Sequence, residues 1–128
     1  MLISAAAISD FTVTPSEDKI KSGKEVKLTL KPAPKLIREV RRKFPELKII
    51  GFKAETVVTE EELIERARES MESSDLCMVV ANDVSSGGMG TEENNVYLID
   101  GSIKPISGTK RQIAIEIMNK VEGILRDE

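Results

Sequence analysis

The sequence predicts an α/β domain, a three-layer arrangement whose sheet is mostly parallel with an antiparallel edge or hairpin extension. Two short apolar runs end in polar clusters: Leu47-Lys-Ile-Ile-Gly-Phe-Lys-Ala-Glu-Thr56 and Leu76-Cys-Met-Val-Val-Ala-Asn-Asp-Val-Ser85. Runs of this kind read as buried parallel strands whose carboxyl ends open into loops. Segments of helical periodicity separate and follow them, and Asp100-Gly101 divides two later apolar runs in the manner of a tight hairpin turn. Open α/β sheets bind ligands beyond the carboxyl ends of their strands, so the residues that close the two runs are where function is expected.

Each element follows from local pattern. Residues 2–8 are small and apolar and read as a first strand, and residues 10–23 are irregular around a Pro15-Ser-Glu-Asp turn. Residues 25–30 alternate polar and apolar side chains, as a half-exposed strand does. Pro34 precedes a helix in which Leu36, Ile37, Val40 and Phe44 recur at helical spacing until Pro45 stops it. A strand then starts near Leu47. Thr59 and Glu62 form a capping box for a second helix with Leu63, Ile64, Ala67 and Met71 on its apolar face. The strand from Leu76 to Ala81 follows, then the loop Ser85-Ser-Gly-Gly-Met-Gly90. That loop matches neither the dinucleotide fingerprint nor a P-loop and reads as a connection, with phosphate cradling as the rival reading. After the hairpin, Thr109 and Gln112 cap a last helix that turns Ile113, Ile117, Val121 and Ile124 toward the sheet.

A chain of 128 residues suits one domain with a single core, so residues 1–128 are expected to form one unit. Its 40% hydrophobic and 32% charged residues are those of a globular domain, and no run approaches the roughly 20 apolar residues needed to cross a bilayer. The apolar start lacks a basic leader and meets Asp10 early, so a cytoplasmic location is expected, with no membrane partner. The single cysteine, Cys77, lies within an apolar run, which excludes an internal disulfide and favours a packing role. The absence of histidine excludes Ser-His-Asp and Cys-His catalysis and His-ligated zinc within the chain. The inventory left suits phosphate chemistry, where positioning and charge neutralisation do most of the work.

The net charge of −3 hides an asymmetry. Between Lys19 and Lys48 eleven basic residues face three acidic ones, an excess of eight, so the remainder carries −11. This stretch suits either a phosphate-bearing ligand or a solvated helix face and charged edge. Nucleic acid is the weaker functional option, since Phe44 is the one aromatic there and offers no stacking platform.

In chain order, Ala5-Ala-Ala-Ile-Ser-Asp-Phe11, Asp18-Lys-Ile-Lys21, Lys31-Pro-Ala-Pro-Lys-Leu36, Gly51-Phe-Lys-Ala-Glu-Thr56, Ala81-Asn-Asp-Val-Ser85, Asn94-Asn-Val96 and Thr109-Lys110 with Ile113-Ala114 resemble the motifs of the phosphopantothenate-cysteine ligase family. The resemblance runs over nearly the whole chain and is to the carboxyl-terminal half of the ligase module in the bifunctional coenzyme A biosynthesis flavoproteins. It implies a Rossmann-like sheet and a two-step reaction. The carboxylate of 4'-phosphopantothenate attacks the α-phosphate of CTP, giving an acyl-cytidylate and pyrophosphate, and the amine of cysteine then displaces CMP to form phosphopantothenoylcysteine. CTP enters as substrate with Mg²⁺, and ATP stays open wherever backbone groups read the base.

The same resemblance implies residue roles, each beside a plainer reading. Lys19 matches a flap lysine that would neutralise triphosphate charge and close over the intermediate; without the resemblance it is an exposed loop lysine. Asp10 matches a residue near the nucleotide, where a carboxylate accepts ribose hydroxyls, or it caps a turn. Ala6 and Phe52 match positions near the cytosine, although as bare residues both would be core. Asn82 matches a residue that positions nucleotide or phosphate, and Asp83 a structural or ion-related one, against loop-closing hydrogen bonds for both. Glu55 orients basic side chains or a hydrated Mg²⁺, or forms a supporting salt bridge. Lys110 adds charge at a helix N-terminus that attracts phosphate, or is solvated. No metal ligand is assigned.

The family's glycine-rich stretch, with an Arg and an Asn that serve phosphate binding and turnover, has no match here, nor has the first strand, glycine turn and helix of a Rossmann arrangement. The expectation is therefore an incomplete active site, from an excised fragment or with the missing half on a separate polypeptide. The family also implies a homodimer, with residues 25–30 and the hairpin at 95–106 as pairing edges. Two other classes remain: a nucleotide-binding or dimerisation module without turnover, and a basic RNA-contacting domain.

Overall fold

The computed structural model describes residues 1–56, 58–85 and 90–127. Its main sheet runs β1 (Leu2–Ser4), β4 (Ile49–Glu55), β5 (Met78–Asp83), β6 (Glu93–Ile99), β7 (Ile103–Thr109) in spatial order. The β1–β4 and β4–β5 ladders are parallel, and the β5–β6 and β6–β7 ladders are antiparallel. A separate two-stranded ladder joins β2 (Phe11–Thr12) to β3 (Lys31–Pro32). The helices are α1 (Leu36–Lys43), α2 (Glu60–Ser74) and α3 (Lys110–Arg126). No helix among the described residues is long and apolar enough to cross a membrane.

Alternation along the strands makes the layers. Ile50, Met78, Val80, Val96 and Leu98 pack against Ile113, Ile117 and Val121 of α3. Their neighbours Ile49, Val79, Ala81 and Ile99 pack against Leu63 and Ala67 of α2, with Ile37 and Val40 of α1 at the margin. β4 and β5 are thus covered on both faces, which is why they read as continuous apolar runs. Both capping boxes form: the hydroxyl oxygens of Thr59 and Thr109 accept from the amides of Glu62 and Gln112, whose side chains accept from the threonine amides in return. Gly101, at φ +101°, makes the β6–β7 turn that Asp100-Gly101 predicted. Pro105 is tolerated within β7 because that strand has β6 alone as a neighbour.

Two expected strands are corrected. The first strand is three residues long, and residues 5–10 instead cross toward the β2–β3 ladder, where the amide of Ala33 donates to the Asp10 carbonyl at 2.8 Å. Residues 25–30 form no strand: Val26, Leu28 and Leu30 are all exposed, so the alternation there has no sheet to face. The glycine-rich loop assigned as a connection falls largely on residues 86–89, outside the described residues.

Three of the eleven basic residues of the stretch tie parts of the fold together. The Arg41 guanidinium donates to the carbonyls of Leu47 (2.9 Å), Pro45 and Asp75, tying the turn after α1 to the end of α2. Lys48 donates to the Ile124 carbonyl at 2.8 Å, and Lys35 to the carboxylate of Asp10.

Leu98 is 1% exposed and sits between strands and α3. Leu98→Ala should lower unfolding free energy by about 2–5 kcal/mol, read as a reduced urea midpoint at unchanged slope.

Candidate active site

Parallel pairing of Ile50–Glu55 with Met78–Asp83 brings the carboxyl ends of β4 and β5 side by side. Two clefts open there, one on each face of the sheet, and they meet at Phe52, Lys53 and Ala54.

The cleft under α3 has a volume of about 500 Å³ and is lined mainly by apolar groups: Ala5, Phe52, Ala54, Val80, Val84, Val96, Ile113, Ala114 and Ile117, with Lys53, Asn82, Asn94 and Lys110 as polar additions. Asn82 lies on the strand face that also presents Met78 and Val80, so its carboxamide is turned into an apolar surround. Its Oδ1 is buried and has no hydrogen-bond partner among the described residues. A buried acceptor left in that state costs about 1–3 kcal/mol, which a ligand donor would recover. Phe52 is 42% exposed at the mouth, although an apolar run would bury it. Ala6 is exposed as well, so reading these two as bare core residues is corrected.

The larger cleft, about 860 Å³, lies between residues 4–10, the start of α1 and the exposed flank of α2. Ala6 and Asp10 line it with Lys35, Arg38, Lys53, Arg66 and Glu69. The Lys35 hydrogen bond and charge hold the Asp10 carboxyl below the usual carboxylate range. Glu55 accepts from Arg66 at 2.8 Å and pairs with Lys53 at 3.1 Å. The hydrogen bond from Lys53 holds its carboxyl low, against a smaller opposing effect of burial and with help from Arg66. Glu55 thus holds two basic side chains in place through salt bridges. Asp83 closes its own turn, accepting from the amide of Ser85 at 2.9 Å and from its hydroxyl, and this lowers its pKa. These are loop-closing hydrogen bonds. No grouping of three or more carboxylate or cysteine side chains that would hold a metal occurs among the described residues.

Four of the six sequence-derived site residues line the clefts at strand ends or the adjoining crossing, namely Ala6, Asp10, Phe52 and Asn82, and Lys110 reaches the α3 side from the start of that helix. Lys19 stands apart, exposed on the segment between β2 and β3 and outside both linings. The N-terminus of α3 is less open than expected, because the amide of Lys110 donates to the Glu92 carbonyl at 2.8 Å and that of Gln112 to Thr109. The Lys110 ammonium is what that end offers an anion. Gly108 supports it: at φ +142°, a Cβ there would lie 2.5 Å from Gln112 Oε1, the oxygen that caps α3. Sequence reading had assigned Gly108, Lys53 and Arg66 no role. The glycine directly before a capping threonine was the available signal for Gly108, whereas Arg66 meets Glu55 only through packing of α2 on β4.

Fold and clefts together define an α/β domain with a candidate site at the carboxyl ends of a parallel strand pair, where open sheets of this class bind ligands. A family model described as the DNA/pantothenate metabolism flavoprotein C-terminal domain matches residues 1–125, and the chain belongs to that family. It is 42% identical over 127 residues to the coenzyme A biosynthesis bifunctional protein CoaBC of Methanocaldococcus jannaschii, covering 98% of this chain and 32% of the relative. Among solved structures, the DNA/pantothenate metabolism flavoprotein of Streptococcus pneumoniae superposes with a TM-score of 0.70 at 30% identity, over 83% of this chain and 46% of that one. A Cab2 mutant in complex with phosphopantothenate-cysteine shares the fold, with a TM-score of 0.67 at 20% identity over 96% of this chain and 44% of that one. The chain thus spans about a third of the curated relative and under half of the solved chains.

The Glu55 pairs give a pH signature. The folded-state pKa lies below the ordinary 4.5, so their contribution is complete above that value and is lost as pH falls through the lower folded value. The stability gap between the wild type and Glu55→Gln should be flat near neutral pH and shrink below about pH 4.5 in urea titrations. A gap unchanged down to about pH 2 would contradict the assignment. Gly108→Ala should cost about 1–2 kcal/mol through strain and loss of the cap, measured the same way.

Proposed function

We propose that this chain is the carboxyl-terminal part of a phosphopantothenate-cysteine ligase of coenzyme A biosynthesis, using CTP to join 4'-phosphopantothenate to cysteine. The observation that carries the proposal is the unpartnered, buried Oδ1 of Asn82 in an apolar cleft bordered by Phe52. Such a pocket suits a flat base with hydrogen-bonding edges. Family membership, the coenzyme A biosynthesis proteins among its relatives and the phosphopantothenate-cysteine held by Cab2 support the same reading.

In this reading the base enters the α3-side cleft beside Phe52, where Asn82 accepts from it, and Ala6 borders it from the adjoining larger cleft. Asp10, at the adjoining crossing, faces the ribose, and Lys110 and Lys19 offer ammonium groups to the phosphates. Lys19 reaches the site by closure of the exposed segment that carries it. The acid's carboxylate attacks the α-phosphorus and pyrophosphate leaves with the bonding pair. The amine of cysteine then attacks the acyl carbonyl, loses a proton and expels CMP. Mg²⁺ bound with the nucleotide would neutralise phosphate charge, a role left to Lys110 and Lys19 among the residues assigned here. The glycine-rich half of the ligase module is proposed to complete the site. A homodimer is proposed, paired through the outer edge of β7 or the exposed apolar side chains of residues 25–30. A cytoplasmic location is part of the same proposal.

The test is CMP release from CTP and Mg²⁺ with both co-substrates, using this chain mixed with the glycine-rich half of a related ligase. Release should require both 4'-phosphopantothenate and cysteine, and Asn82→Ala and Lys19→Ala should each lower kcat/KM by about 10- to 100-fold. CTP binding without any CMP release would instead favour a nucleotide-binding or dimerisation module.

A further inference from the structure

The two clefts differ in charge, and one charged side chain borders both. The cleft beside α1 carries Lys35, Arg38, Lys53 and Arg66 against Asp10 and Glu69. Lys35 is spent on Asp10. Lys53 projects from the same face of β4 as Glu55, two residues further on, and its Nζ lies 3.1 Å from Glu55 Oε1. The other oxygen of Glu55 accepts from Arg66 at 2.8 Å. Two cations therefore share one carboxylate, and the group keeps one uncompensated positive charge. The Lys53 side chain is 38% exposed, so its ammonium is reachable, while Glu55 restricts where it points. It stands at the carboxyl end of a parallel strand, beside Phe52 and between the apolar cleft and the basic one.

We propose that Lys53, positioned by Glu55 and Arg66, is the phosphate-binding side chain at the junction of the two clefts. The phosphate belongs to the nucleotide or to the phosphorylated acid, and this assignment rests on the ligase reading for its ligands. An ammonium already fixed by a carboxylate loses little freedom when a phosphate arrives, and the net charge of the group favours a dianion.

The experiment is titration calorimetry on the full chain with inorganic tripolyphosphate, CTP, 4'-phosphopantothenate and cytidine, for the wild type, Lys53→Met and Lys53→Arg. Tripolyphosphate affinity should fall about 10- to 100-fold in Lys53→Met and recover largely in Lys53→Arg, with cytidine affinity little changed. Whichever of CTP and 4'-phosphopantothenate weakens in parallel names the source of the phosphate. Equal tripolyphosphate affinity in the wild type and Lys53→Met, or no binding to the wild type, overturns the proposal. Lys53-dependent tripolyphosphate binding without CTP or 4'-phosphopantothenate binding would sink the ligase reading while leaving the anion site standing.

Discussion

The parallel ladder between β4 and β5 is the constraint on which the rest depends. Six residue pairs, from Ile50–Met78 to Glu55–Asp83, put two carboxyl-terminal ends at one level. Burial on both faces makes this register strongly specified, since a slip by one residue would turn Ile50, Met78 and Val80 away from α3 and Asn82 out of its cleft. The same alternation decides the chemistry of each side. Phe52, Ala54, Val80 and Asn82 face the α3 cleft, while Lys53 and Glu55 lie on the face packed by α2. An apolar recess and a cationic one are thus produced by consecutive residues of one strand.

Much of this was legible in the sequence because it rests on local patterns. The capping boxes at Thr59 and Thr109, the Asp100-Gly101 turn and the two apolar runs each need only a few neighbouring residues to be read. What failed needed knowledge of partners. Residues 25–30 alternate as a strand does, yet alternation describes a face and not the sheet that covers it. Residues 5–8 have the composition of a strand, but the chain leaves the sheet after Ser4, and the Asp10 carbonyl accepts from Ala33 beside the β2–β3 ladder. For the site, Asn82 was legible as the polar end of an apolar run. The addition of Arg66 to the Lys53–Glu55 pair depends on the packing of α2 on β4, which no local pattern encodes, and the exposure of Phe52 depends on how far α3 covers the end of β4.

Charge follows the same division. The basic excess of residues 19–48 suggests a continuous ligand surface, yet Arg41 and Lys48 hold backbone carbonyls and Lys35 holds Asp10. These three cations are therefore tied to groups of the chain itself. The cations that remain near the strand ends, Lys53 and Lys110, were not distinguished by density of charge. Their position at the end of a strand and the start of a helix distinguishes them.

The central claim is that the ends of β4 and β5 bind a nucleotide through the α3-side cleft. The most direct measurement is a CTP titration followed by amide and methyl resonances of the full chain. The account predicts saturable shifts at Ala5, Phe52, the Asn82 side chain, Val80, Val96 and Ala114, with the distant cavity around Asp100, Lys120 and Asp127 unaffected. Shifts confined to that distant cavity, or none at millimolar CTP, would contradict it.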